Sequence, residues 1–149
     1  IRVPGNFPTI QAALDAAELG DVILVAPGTY VESLDMGYAT TLVSRAATVL
    51  AAAAELPTFS IHDTGMDPVN VAGFSFISPP RKNDAVRIEA AHDVWIENAA
   101  ASCSGVYFSA IEVVGGSFVH AVNVVAEGVG NDVTVLDSVV GLERFNRCE

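Results

Sequence analysis

The sequence has little positive charge. Seven Lys and Arg residues stand against eighteen Asp and Glu residues, and the formal net charge is −11. A surface of this sign repels phosphate backbones and anionic lipid headgroups. We therefore expect neither a nucleic-acid partner nor insertion into a membrane.

Long apolar runs and cysteines are also scarce. The longest apolar stretches, such as residues 48–54, are too short for a helix that spans a bilayer. Two cysteines, Cys103 and Cys148, are too few for a disulfide scaffold. They either form one disulfide bridge or are two apolar thiols. A chain that is 51% hydrophobic and 17% charged is too apolar to be disordered. Its length fits one domain, and we assign residues 1–149 to it.

One segment has the pattern of an amphipathic helix. Apolar residues recur at helical spacing from Ile10 to Ala17. Thr9 is suited to the N-cap, because its hydroxyl can accept from an amide of the first turn. Gly20 is suited to the end, because glycine readily adopts the left-handed conformation that ends helices. These signals predict a helix over residues 9–18.

The rest of the chain repeats at a spacing of about 25 residues. The copies are Val69–Gly73, Val94–Asn98 and Val119–Asn123, together with Val86–Ile88, Ile111–Val113 and the start of a further copy at Val133–Val135. Each copy consists of strands and tight turns with no helical half. The pattern predicts an all-β fold, a single-stranded right-handed parallel β-helix of about five to six coils over residues 21–147. The alanine-rich residues 44–55 interrupt it, and we expect an irregular excursion there.

The fifth position of the repeat is Gly73, Asn98 and Asn123. Glycine and asparagine enter left-handed backbone space at low cost, so a column of tight turns is expected there. The predicted N-terminal helix would cap the first coil, since solenoid ends need a cover. The C-terminal end would be covered by its own last residues or by a second copy, which predicts a possible homo-oligomer through that end.

Residues Phe7–Ala17 and Gly20–Tyr30 resemble the entry segment of pectin-lyase-like right-handed parallel β-helices. Members of this superfamily include pectin methylesterases and polysaccharide lyases. The resemblance implies an extracellular or cell-surface location, and the chain shows no signal-peptide pattern before its first element. A mature secreted product and a fragment both stay open.

A narrower stretch resembles the pectate lyases. Asp84–Ile88 followed by Asp93–Asn98 is similar to the run Asp-x-Ile-x-Ile and Val-Trp-Ile-Asp-His of that family. The resemblance implies Ca²⁺ as cofactor, with Asp84 and Glu112 as its ligands. The sequence departs from the family at Phe108, where an acidic ligand is expected, and in lacking the Arg-x-Pro-x-x-Arg segment.

Arg81, Lys82 and Arg87 form the one basic cluster of the sequence, which suits them to bind a sugar carboxylate. Arg87 is the candidate catalytic base of a lyase, and the alternative is an ion pair across coils with Glu112. Glu112 is thus a candidate for substrate binding as well as for the metal. Trp95 alternates with apolar neighbours, so it either faces outward as a sugar-stacking platform or packs under a loop.

Two functions follow from these residues. The first is a carbohydrate-binding or structural assembly module with weak or no catalysis and a polysaccharide as partner. The alternative is a minimal polysaccharide lyase, or a related carbohydrate-active enzyme, acting on an acidic uronate polymer. Whether the protein is an enzyme stays open at this point.

Overall fold

The computed structural model describes residues 1–52, 55–62, 64–78, 83–115, 117–136 and 139–146, which form one short helix and thirteen strands. The elements in chain order are β1 (Arg2–Val3), α1 (Ile10–Ala16), β2 (Val22–Val25), β3 (Gly28–Val31), β4 (Leu34–Met36), β5 (Thr41–Leu50), β6 (Phe59–His62), β7 (Val69–Ile77), β8 (Val86–Glu89), β9 (His92–Cys103), β10 (Ser109–Val114), β11 (Ser117–Gly128), β12 (Asn131–Leu136) and β13 (Val139–Asn146).

The strands form two sheets in which every pair is parallel. Sheet A has the order β1-β2-β5-β7-β9-β11-β13, and β3 also pairs with β5. Sheet B has the order β4-β6-β8-β10-β12. The chain alternates between the sheets and advances one strand position per circuit, which makes a β-solenoid of about five turns. The predicted all-β parallel solenoid is confirmed.

The repeat of the sequence is the register of the coils. Val69, Val94 and Val119 are direct neighbours in sheet A. Val86 and Ile111 are direct neighbours in sheet B, and the predicted further copy pairs Val133 with Ile111. The side chains of these residues point into the shared interior, where Phe59, Phe74 and Phe76 are also fully buried and stack on one another. Apolar burial between coils therefore replaces the two-layer core of an ordinary domain.

Strands β7, β9 and β11 of sheet A each turn a corner at the fifth position of the repeat. Gly73, Asn98 and Asn123 all have positive φ angles, 79°, 48° and 52°. The buried positions shift phase there by one residue, from Val71 to Phe74 in β7, which bends the strand so that both halves face the core. The amide of Asn123 donates to Oδ1 of Asn98 at 2.7 Å. The predicted column of tight turns at Gly73, Asn98 and Asn123 is confirmed.

The irregular excursion predicted for residues 44–55 is wrong in its first half, because strand β5 continues to Leu50. Inward alternation resumes at Ala47 and Val49, which are fully buried. Three residues of β5 lie opposite the single Gly73 of β7, since Val43 pairs with Ala72 and Ala47 with Phe74. These two extra residues break the periodicity that would otherwise have marked a strand.

Helix α1 is shorter than predicted, but its N-cap is the predicted one. Thr9 Oγ1 accepts from the Ala12 amide at 3.1 Å. The carboxylate of Glu32 accepts from the amides of Ile10 and Gln11 at 3.1 and 2.9 Å, and so pairs two more N–H groups of the first turn. The helix ends at Ala16 because the backbone of Ala17 is already extended.

The helix covers the first strands of both sheets. Ile10, Ala13 and Leu14 are buried, and α1 packs against β1, β2 and β4. The side chain of Gln11 also pairs with both backbone groups of Asp35 in the edge strand β4, at 2.8 and 3.1 Å. The amide thus occupies the hydrogen-bonding groups that another strand would use, and this protects an exposed edge.

Candidate functional site

A column of polar side chains runs along the outer face of sheet B. Successive coils place its members in direct register: Asp35 on β4, Ser60 on β6, Arg87 on β8, Glu112 on β10 and Thr134 on β12. They alternate with buried neighbours such as Ile61 and Ile88, and this alternation fixes their outward direction. We call these five residues the sheet B column.

Arg87 lies between two carboxylates. Its Nε is 3.2 Å from Glu89 Oε2 and its Nη1 is 3.5 Å from Glu112 Oε2. The ion pair across coils that the sequence offered as the alternative for Arg87 is therefore present. Two carboxylates stabilise the guanidinium cation and oppose the neutral form that a catalytic base requires.

Asp84 is the most buried acidic group of this region. It is 4% exposed and lies just before β8. Its Oδ1 accepts from the Ser109 amide of the next coil at 2.6 Å. Its side chain also interacts with the neighbouring carboxyl group of Glu112.

The pKa of Glu112 is raised above its usual value. Burial is the main cause, and the negative charge of Asp84 and the hydrogen bond with it act in the same direction, whereas Arg87 acts against them. Glu112 therefore takes up a proton at a higher pH than an ordinary glutamate does. Ser109 Oγ and Thr134 Oγ1 are hydrogen-bonded at 2.7 Å beside the pair. The site combines one fixed cation with two coupled carboxyl groups.

The resemblance implies calcium at Asp84 and Glu112, and the structure does bring these two carboxyl groups together. Within the described ranges, however, no group of three or more His, Cys, Asp or Glu residues could hold a metal ion. Calcium needs six to eight oxygen ligands, whereas the carboxylate of Glu112 is already paired with the cation of Arg87. These residues do not by themselves fit the ion. Calcium binding stays a prediction.

Trp95 lies on the other sheet. It projects outward from β9 in sheet A, where it is half-buried and its ring stacks on His120 of β11 with centroids 4.1 Å apart. Its Nε1 donates to Asp93 Oδ1 at 2.9 Å. The structure thus separates Trp95 from the sheet B column that carries Arg87 and Glu112. A sugar-stacking role for Trp95 stays a prediction for a different face.

Arg81 and Lys82, the remaining predicted substrate-binding residues, lie outside the described residues. Sequence reasoning missed three residues of the sheet B column, Asp35, Ser60 and Thr134, and also missed His120 on sheet A. For two of these four residues the repeat contains the signal. Adding one period to Trp95 gives its stacking partner His120, and the shorter next coil places Thr134 beside Glu112. Register alone would have identified both.

In the part of the chain that the structure describes, no helix is long and apolar enough to cross a membrane. Comparison of the chain with family models, curated proteins and solved structures gives no match. The β-solenoid fold and the geometry of its two outer faces are therefore the basis on which a function can be argued.

Proposed function

We propose that the protein is a carbohydrate-binding β-solenoid of the pectin-lyase-like kind, which holds a polysaccharide along sheet B with weak or no catalysis. The observation that carries the proposal is the sheet B column, five polar side chains in register on one flat face. Parallel strands lie about 4.8 Å apart, so the column extends over about 19 Å. A long shallow face of this kind suits an extended polymer.

The chemistry of the column suits sugar hydroxyl groups. Carboxylates such as Asp35 accept hydrogen bonds, the guanidinium of Arg87 donates them, and the hydroxyl groups of Ser60 and Thr134 do both. The ion pairs of Arg87 hold its guanidinium in place before a ligand arrives. Preorganised donors reduce the entropy that binding costs.

Binding without turnover is favoured by the state of Arg87. A lyase needs a base that takes the proton next to the uronate carboxylate. Arg87 is the candidate, yet Glu89 and Glu112 both stabilise its protonated form. The same contacts that make it a good hydrogen-bond donor make it a poor base.

A minimal lyase acting on an acidic uronate polysaccharide is the second candidate. The observation that favours it is Glu112, because its raised pKa keeps a proton available at a higher pH than usual and a general acid works best near its own pKa. The sheet B column would then hold the polymer. Arg87 would take the proton next to the uronate carboxylate, and Glu112 would donate a proton to the oxygen of the glycosidic bond that breaks.

Binding is tested by titration calorimetry with polygalacturonate, alginate and a neutral glucan. We expect saturable binding of at least one polymer and a Kd about tenfold higher in Arg87→Ala, which loses charge-assisted hydrogen bonds. Thr48→Ala, on the outer face of sheet A, is the matched control and should bind as the wild type does. Binding that Arg87→Ala leaves unchanged, or no binding to any polymer, would contradict the proposal.

A further inference from the structure

The outer side of the corner in sheet A carries a groove of about 340 Å³. Its polar lining consists of Arg45, Ser75, Asn98 and Asn123, and small residues such as Ala46 leave space between them. Among the described residues that line it there is no carboxylate, although the chain has eighteen acidic residues. Arg45 is the one charged side chain of this described lining.

Arg45 is at the groove because β5 bulges. The two extra residues between Val43 and Ala47 push the chain outward opposite Gly73, and Arg45 lies on this bulge. Its side chain is exposed and makes no hydrogen bond or ion pair with any described residue. A Cβ at Gly73 would lie 1.9 Å from the Ser44 carbonyl oxygen, so no side chain fits beneath the bulge.

The stacked asparagines of the repeat, Asn98 and Asn123, also line this groove. Asn123 donates its amide to Asn98 Oδ1, but the amide nitrogen of Asn98 itself donates to no described residue. The next position of the column is Gly73, which offers no acceptor side chain. Asn98 therefore keeps unused donor hydrogens in the groove that Arg45 also lines.

We propose that this groove, here called the corner groove, binds an anionic group, a carboxylate or a sulfate, on a ligand. A guanidinium presents several N–H donors in a plane and pairs well with such oxyanions. The Asn98 amide and the Ser75 hydroxyl supply further donors. The site is separate from the sheet B column and stands whether or not that column binds a polysaccharide.

The test is an NMR titration at constant ionic strength, with sodium sulfate, galacturonate and neutral galactose as probes. The readouts are the side-chain NH₂ signals of Asn98 and Asn123 and the Nε–H signal of Arg45. We expect saturable shifts with at least one of the two anions and none with galactose. Binding by galacturonate alone assigns a carboxylate ligand, and binding by sulfate alone assigns a sulfated one.

Two variants test the site itself. Arg45→Gln should weaken binding about tenfold, whereas Arg2→Gln removes another exposed and unpaired arginine and should change nothing. Asn98→Gly should also weaken binding while keeping the fold, because glycine adopts the positive φ of this position without strain. Shifts absent with both anions, or equal in Arg45→Gln and wild type, would overturn the site.

Discussion

Leu14 tests whether helix α1 caps the solenoid. Its side chain is 2% exposed and lies against the first coil. Shortening a buried leucine to alanine costs about 2–5 kcal/mol. Leu14→Asp loses the same contacts and also buries a carboxylate without a partner, which costs several kcal/mol more. Since domains are stable by about 5–15 kcal/mol, we expect Leu14→Asp to aggregate or unfold rather than lose one activity.

The assay combines size-exclusion chromatography with thermal unfolding followed by circular dichroism. Leu14→Ala should stay folded and melt about 5–15 °C lower than the wild type. Ala16→Asp adds the same charge to the exposed side of the same helix and should melt within a few degrees of the wild type. A Leu14→Asp protein that is monodisperse, keeps the wild-type oligomeric state and melts normally would refute the capping role of the helix.

Gly73→Ala should lower the free energy of unfolding by at least about 2 kcal/mol in urea titrations, because it combines a positive φ with a clash against Ser44. Gly65→Ala has a similar φ but open space, so an equal loss there would show that the clash is unimportant. Because the pKa of Glu112 is raised on folding, its stabilisation is complete below the unfolded value and is lost as pH rises through the folded pKa. In urea titrations between pH 4 and 8, the free energy of unfolding should therefore fall less steeply with rising pH in Glu112→Gln than in wild type. Equal pH dependence in the two proteins would contradict a raised pKa of Glu112. In an absorbance assay with polygalacturonate or alginate and calcium, turnover should stay below roughly 1 s⁻¹. Faster turnover that disappears in Arg87→Ala would favour the lyase.

Much of the coil geometry could be predicted from the sequence, because each coil copies the last. One offset of about 25 residues aligned Gly73, Asn98 and Asn123, and it placed Arg87 beside Glu112. The repeat did not predict the second half of strand β5, because its two-residue bulge shifts the alternation of buried positions. The bulge matters beyond the fold, because it positions Arg45.

Contacts between unlike segments could not be predicted. Glu32 reaches back to the start of α1, and Gln11 pairs with the edge strand β4, over 21 to 24 residues with no repeat to align them. The raised pKa of Glu112 depends on its burial and on its closeness to Asp84, and the repeat length of the sequence predicts neither. The separation of Trp95 from Arg87 could not be predicted either, because the turn between β8 and β9 places the two residues on different sheets.

The most direct test of the central proposal is to map polysaccharide binding on the protein by ¹H–¹⁵N NMR. Oligosaccharides of the polymer that binds best would be titrated while backbone amide shifts are followed. The account predicts that the shifts concentrate on the sheet B strands at Ser60, Arg87, Glu112 and Thr134, and that Trp95 and His120 on the outer face of sheet A are unaffected. Shifts concentrated on sheet A around Trp95 and His120, with sheet B unchanged, would contradict it.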